Sequence, residues 1–402
     1  MQLTKTAYNK ELLEKWKNEE ITEERITTLL DQYVHSYADV ITNKTQRVHF
    51  ENYLMGLMSN LDRKSIEPIA LSIAGDKGVR PLQQFITRST FDDEAVLKEY
   101  QRAFGGATKS SNGMLSVDGS DFVKKGKNSV GVTRQYCGVL GKTENCQAGV
   151  FCAYAGDNGY GIVERELYLP KNWFDDAHAE LREKCDIPKD KVFRTKNEIA
   201  LELLRSAADS GNFNVKWIGC DAAFGCDHSF IDSLPKGTWY FAGIKSTELV
   251  FLARPERKVP EQQATGRPPK HGVPESEPVQ VITIAEDESI PWENVALFEG
   301  SKGTVFADVK YLRCVSCRAA TSYRQYPYPC DDIWLYIRRY ENNDIKYFIS
   351  NAPADIRVEE LHEAATLRWP IEQCFEECKS YLGMGTLKGA HIRAFYATCF
   401  SS

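Results

Sequence analysis

The residues of this chain best suited to chemistry are a few carboxylates and the cations beside them. Asp118 stands in VDGSDFVKKG, residues 117–126, with Asp121 three residues on and Lys124 and Lys125 close behind. Asp221 closes an apolar run, VKWIGCD, and Glu372 lies between Arg368 and Lys379 in RWPIEQCFEECK. A carboxylate at the end of an apolar strand costs several kcal/mol unless it is paired, hydrogen-bonded or bound to a metal. Three carboxylates on strand, strand and helix suit a hard cation, Mg²⁺ or Mn²⁺, which takes oxygen ligands and few of them from protein. Two such ions can activate a nucleophile and stabilise the leaving oxygen of a phosphodiester. Paired carboxylates also serve glycoside hydrolysis, but sugar chemistry gives no reason for an Arg and a Lys flanking Glu372.

At about 100° per residue, Arg368, Glu372 and Lys379 fall within roughly 40° of one another on a helix. One face would then carry a carboxylate between two cations, fit to hold a metal while gripping a polyanion. A solvated face laced with i,i+4 ion pairs explains the same spacing.

These residues need elements to carry them. Residues 1–105 read as helical: ELLEKWKNEEITEERITTLLDQYVHSYA has apolar residues at helical spacing, Pro68 separates two further helices, and FDDEAVLKEYQRAF opens on acidic residues as helix starts prefer. AFGGATKSSNGM reads as a linker. From Leu115 the period becomes two, and LSVDGSDFV, SVGVTRQYCGVL, QAGVFCAYAG and GIVERELYLP read as consecutive strands. TKNEIALELLRSAADSG follows as a helix, with Thr195 and Glu198 in a capping-box pattern. VKWIGCDAAFG then reads as a buried strand ending at Asp221. Residues 254–292, rich in Pro, Gly and charge, read as a flexible loop in an inserted subdomain. The strands VQVITI, TVFADVKYL, IWLYIRRY and DIKYFIS come next, then a long helix from Val358 that Pro370 should kink or divide. The order of hairpins, helix, strand and helix predicts an α+β chain. Its helical N-terminal domain precedes a mixed sheet of the ribonuclease H type with flanking helices, interrupted by a β-rich insertion.

Composition bounds the rest. The 402 residues are 42% apolar and 26% charged with a net charge of −6, so a polyanion site must come from local clusters. Gly243 to Lys270 holds six Lys or Arg against three Glu, an excess that fits DNA contact. The twelve cysteines contain one CxxC, Cys314 and Cys317, with Cys330 beyond, and read as reduced structural thiols. No apolar run is long enough to span a membrane and the N-terminus lacks a signal-peptide core, so a cytoplasmic protein is expected.

The wording around these residues resembles the bacterial insertion-sequence transposases of the DDE superfamily, in the branch whose third acidic residue lies in a Y-x2-R-x3-E-x6-K signature. Arg368, Glu372 and Lys379 match R-x3-E-x6-K in register, and Ala365 replaces the tyrosine. VDGSDFVKKGKNSVGVTRQYCG, ENCQAGVF, ELYLPKNWF, DAAFG and LRWPIEQCFEECKSYLGM are similar as well. The resemblance implies that Asp118, Asp221 and Glu372 are catalytic and hold two Mg²⁺ or Mn²⁺ ions, with Asp121 the alternative first ligand. It implies cleavage at transposon ends, then attack of the freed 3′-OH on target DNA. Arg368 and Lys379 would contact the backbone, and Lys124 and Lys125 would steer double-stranded DNA. Arg267 in GRPPK would enter a minor groove and Trp292 would stack on a displaced base, although a core Trp explains the latter position too. Partners would be the terminal inverted repeats, target DNA and a second copy at synapsis, with no membrane, in a bacterial cytoplasm near the nucleoid.

The same resemblance divides the chain into a DNA-binding helical region, 1–105, a catalytic domain, 106–245 with 341–402, and an insertion, 246–340. TLKGAHIRAFYATCFSS does not match the family's continuation, as a truncated or frameshifted copy would read. The alternative function is therefore a degenerate copy that binds terminal repeats without cutting.

Overall fold

The computed structural model describes residues 22–89, 92–108, 110–258, 272–300, 303–321 and 326–384. Among the described residues five helices come first: α1 (Glu23–Ser36), α2 (Lys44–Met58), α3 (Ile66–Ala74), α4 (Asp76–Arg88) and α5 (Asp93–Ala107). Strands β1 (Gly113–Val123), β2 (Thr133–Cys137), β3 (Lys142–Gly156) and β4 (Gly159–Tyr168) precede helix α6 (Lys196–Asp209). Next come β5 (Val215–Cys220), α7 (Ala222–Gly225), β6 (Trp239–Ile244), β7 (Leu249–Phe251) and α8 (Val281–Glu286). The remainder holds β8 (Glu293–Gly300), β9 (Gly303–Arg318), β10 (Tyr328–Arg339), β11 (Ile345–Ser350), α9 (Val358–Leu367) and α10 (Pro370–Ser380). The chain forms two compact units that divide at Asn214/Val215 and at Arg368/Trp369.

The first unit contains α1 to α6, β1 to β4 and α10. Side chains of Thr22, Asn43 and Asp92 accept hydrogen bonds from the first-turn N–H groups of α1, α2 and α5, each cap contributing about 1 kcal/mol. The apolar stripes behind these caps meet in one core, including Tyr37, Ile41, Phe50, Leu57, Ile69 and Phe85. Helix α5 runs on through Gly105 and Gly106, which the sequence assigns to a linker. The reason is packing: a Cβ on Gly105 would lie 2.4 Å from the Asn212 carbonyl oxygen, so only glycine lets the helix continue there.

Strand β3 is the spine of this unit, pairing antiparallel with β1 on one edge and with β2 and β4 on the other. The expected capping box is present, with the Thr195 hydroxyl accepting from the Glu198 N–H at 3.2 Å and Glu198 accepting from the Thr195 N–H at 2.7 Å. Buried Glu164 on β4 ties α5 and α6 together, accepting from Gln101 at 3.1 Å and from Ser206 at 2.7 Å.

The second unit is a mixed sheet. Strands β5 and β6 are parallel, while β6, β11, β10, β9 and β7 follow antiparallel, with β8 also on β9. VQVITI, read above as a strand, is extended only at Val279–Gln280, and from Val281 it is helix α8. Its β-branched residues favour a strand, but Val281 and Ile284 are buried and the Lys310 ammonium donates to the Ala285 and Asp287 carbonyls at 2.8 and 2.7 Å. A cation on the last carbonyls of a short helix satisfies groups that a strand would offer elsewhere. The long C-terminal helix is divided as Pro370 predicts: α9 ends at Leu367 and α10 starts at Pro370, whose missing N–H breaks the i→i−4 ladder. Helices followed by strands with flanking helices give the expected α+β class.

Candidate active site

In the first unit, β1 runs unbroken against β3, with Asp118 opposite Phe151 and Asp121 opposite Ala148. Strand alternation puts residues three apart on opposite faces, so Asp118 and Asp121 do not share one ion's coordination shell. Asp118 shares its face with Ser116, Ser120 and Phe122. The hydroxyl oxygens of Ser116 and Ser120 are buried, with no hydrogen-bond partner among the described residues. Sequence reasoning missed both, although the i, i+2, i+4 spacing about Asp118 was a usable signal. Asp118 Oδ1 accepts from the Gly119 N–H at 2.6 Å, and Asp121 Oδ2 accepts from the Gly138 N–H at 2.6 Å.

Helix α10 lies against the strands of the same unit. Ile371, Cys374, Phe375 and Cys378, at the i, i+3, i+4, i+7 spacing of one stripe, are buried with Phe122 and Phe151. Burying each of the larger side chains contributes about 1.5–3 kcal/mol. Phe375 meets Phe151 edge to face at 5.3 Å between centroids. The helix is fastened further by Tyr160, whose hydroxyl donates to Glu377 at 2.8 Å. Glu372 is exposed in the first turn, and Lys379 sits over the Phe122 and Phe375 rings at 5.6 and 5.9 Å. Burial lowers the Lys379 pKa, and the charges of Asp121 and Asp118 oppose that effect. The unit therefore brings Asp118, Asp121 and Lys379 within electrostatic reach of one another.

Lys124 leaves the end of β1 half-buried, its N–H bonded to the Asn145 carbonyl at 2.9 Å, and burial brings its ammonium down to about 8. Lys125 is exposed.

In the second unit, Asp221 follows β5 and caps α7, its Oδ1 accepting from the Ala223 and Phe224 N–H groups at 2.9 and 3.3 Å. The cap supplies the partner that a carboxylate at an apolar strand's end requires, and both bonds fall on one oxygen. Close backbone packing fixes this corner, since a Cβ on Gly225 would lie 2.0 Å from the Gly243 carbonyl oxygen. Arg368, at the end of α9, donates from Nε to the Cys220 carbonyl at 3.2 Å, beside Asp221 in the chain. The helical-wheel argument assumed one uninterrupted helix, whereas Arg368 is the C-cap of α9 and Glu372 and Lys379 belong to α10.

Trp292 is half-buried in the second unit, with Arg339 and Lys310 at 4.3 and 4.7 Å from its ring centroid. Arg267 lies outside the described residues. Cys314 and Cys317 are buried on β9, and burial pushes the Cys314 thiol up to about 12.

Among the described residues, no three His, Cys, Asp or Glu side chains gather closely enough to hold a metal ion. The donors nonetheless fit a hard cation. Mg²⁺ is commonly bound through one or two carboxylates, with waters and substrate phosphates completing its shell. Asp118 offers carboxylate oxygens of the kind such an ion takes; the buried Ser116 and Ser120 hydroxyls, four residues apart on an extended strand, are too far from each other to join it in one coordination shell. No helix among the described residues is long and apolar enough to cross a membrane.

A sequence profile described as DDE superfamily endonuclease matches residues 36–304, a span that holds Asp118 and Asp221 and ends before Glu372. The chain is also similar to a probable transposase for insertion sequence element IS701 from Microchaete diplosiphon, at 28% identity over 230 residues. That match covers 56% of this chain and 55% of the relative, so the chain spans about half the length of the curated protein it resembles. Among solved structures, a piggyBac transposase synaptic complex with hairpin DNA aligns at 10% identity and a TM-score of 0.40, covering 89% of this chain and 65% of that one.

Proposed function

The chain belongs to the DDE superfamily endonucleases, and from that premise we propose that it is a DNA transposase, cutting at transposon ends and joining the freed 3′-OH to target DNA. The observation that carries the reading is the setting of Asp118: a strand carboxylate on β1, the strand whose Phe122 packs against the helix that bears Glu372 and Lys379. The likeness to an insertion-sequence transposase supports the same reading.

In this proposal Asp118, Asp221 and Glu372 hold two Mg²⁺ or Mn²⁺ ions, with Asp118 rather than Asp121 as the first ligand. Such ions, when bound, activate the attacking oxygen and stabilise the leaving one. The cap on Asp221 orients that carboxylate before substrate arrives, lowering the cost of organising the site. Lys379, pinned over two aromatic rings, and Arg368, anchored on the Cys220 carbonyl, grip the phosphates that flank the scissile bond. Lys124 and Lys125 draw DNA toward carboxylates that alone would repel it. Arg267 and Trp292 complete the proposed DNA contacts, and two copies would pair two ends.

The test is nicking of duplex DNA that carries the element's terminal inverted repeats, in Mn²⁺ or Mg²⁺. Cleavage that disappears in Asp221→Ala and in Glu372→Ala supports the triad. Binding without cleavage in either ion would replace this reading with that of a DNA-holding protein.

A further inference from the structure

Residues 122–143 contain five cations (Lys124, Lys125, Lys127, Arg134 and Lys142) and no acidic residue, in a chain whose net charge is −6. This segment leaves β1, forms β2 and turns into β3. At its tip, Tyr136, Val139 and Leu140 are 65%, 60% and 44% exposed, a cluster of side chains that no described residue of the unit covers.

The tip is a fixed turn. The Leu140 N–H bonds to the Cys137 carbonyl at 3.1 Å and the Gly141 N–H to the Gly138 carbonyl at 3.3 Å. Gly141 takes the left-handed conformation, φ 63°, that closes the turn. The Gly138 N–H is in turn held at 2.6 Å by Asp121, on the strand that carries Asp118. Apolar side chains on a rigid turn within a basic segment match the chemistry of wedges that part stacked bases while cations hold the phosphates.

We infer that the Tyr136–Leu140 tip enters an opened DNA duplex, with Asp121 as the positioning residue that fastens the tip to β1, the strand that also carries Asp118. This rests on the proposed DNA-cutting role and extends it, since a duplex parted by the tip gives a single strand room to enter a cleavage site. It also gives the second aspartate of VDGSD a task that needs no metal.

The experiment compares binding of the full chain to a 30-base-pair duplex and to the same duplex with a central two-nucleotide bubble, by fluorescence anisotropy. A wedge that must unstack bases favours the bubble, by about tenfold or more. Val139→Ser/Leu140→Ser, both exposed, should cut that preference below about twofold with an unchanged melting temperature. Asp121→Asn should keep the preference, because an amide oxygen still accepts from Gly138, whereas Asp121→Ala should lose it. A double variant that keeps the preference would overturn the inference. So would a wild-type protein that binds both duplexes equally, or a double variant whose only change is loss of self-association in sedimentation. A chain that binds neither duplex would sink the transposase reading with it, while one that nicks repeats without a bubble preference would sink the wedge alone.

Discussion

The two aspartates of VDGSDFVKKG differ by what alternation and one hydrogen bond do to each. Asp118 faces the side of Ser116, Ser120 and Phe122, while Asp121 accepts from Gly138 at 2.6 Å. Asp118→Asn is therefore expected to lower divalent-dependent nicking by at least about a hundredfold, the scale of a lost catalytic electrostatic contact, and Asp121→Asn by less than about fivefold. Initial nicking rates on one substrate decide between them. Lys124 supplies a pH test. Its folded pKa is lowered to about 8 by burial, so the folded protein binds fewer protons there than the unfolded chain between about pH 8 and the ordinary lysine range. Stability should thus rise with pH across that window, while DNA affinity should fall as the ammonium deprotonates. Lys124→Met should flatten both profiles, as chemical denaturation and anisotropy between pH 7 and 9.5 would reveal.

Among the elements, the corner bearing Asp221 depends on two glycines meeting backbone to backbone. Gly225→Ala would place a Cβ 2.0 Å from the Gly243 carbonyl oxygen, a clash with backbone that no side chain relieves by turning. The expected cost is at least about 2 kcal/mol of stability with loss of nicking, read by denaturant unfolding and activity together. Elements governed by local rules were legible in the sequence. The Thr195–Glu198 capping box, the hairpin strands and the division at Pro370 were all foreseen, because their causes lie within a few residues. What was not legible depends on distant partners. Helix α8 was read as a strand because its stabilising cation, Lys310, lies more than twenty residues on. Helix α5 outran its apparent linker because Asn212 packs on Gly105. The carboxylates and cations of the proposed site rest on spacing and family resemblance. The Asp121–Gly138 tie could not be read that way, because it joins residues 17 apart through a turn.

For the whole molecule, the proposed work on DNA requires an acidic chain to concentrate its cations. Binding should therefore be strongly salt-dependent despite the net charge of −6. If the basic segment after β1, Lys379 and Arg368 supply about five phosphate contacts, log K against log salt should fall with a slope near −4 to −5. A slope near zero would place DNA elsewhere or nowhere on this chain. The central claim is metal-dependent cleavage through Asp118, Asp221 and Glu372, and one measurement reaches it most directly. Terminal-repeat duplex is incubated with wild type, Asp118→Asn, Asp221→Asn and Glu372→Gln in Mn²⁺ and in chelator, and nicked strands are counted. The account predicts nicking by wild type in Mn²⁺, none in chelator, and at least about a hundredfold loss in each variant with melting temperatures preserved. Nicking that survives in any of the three variants, or that persists in chelator, would contradict it.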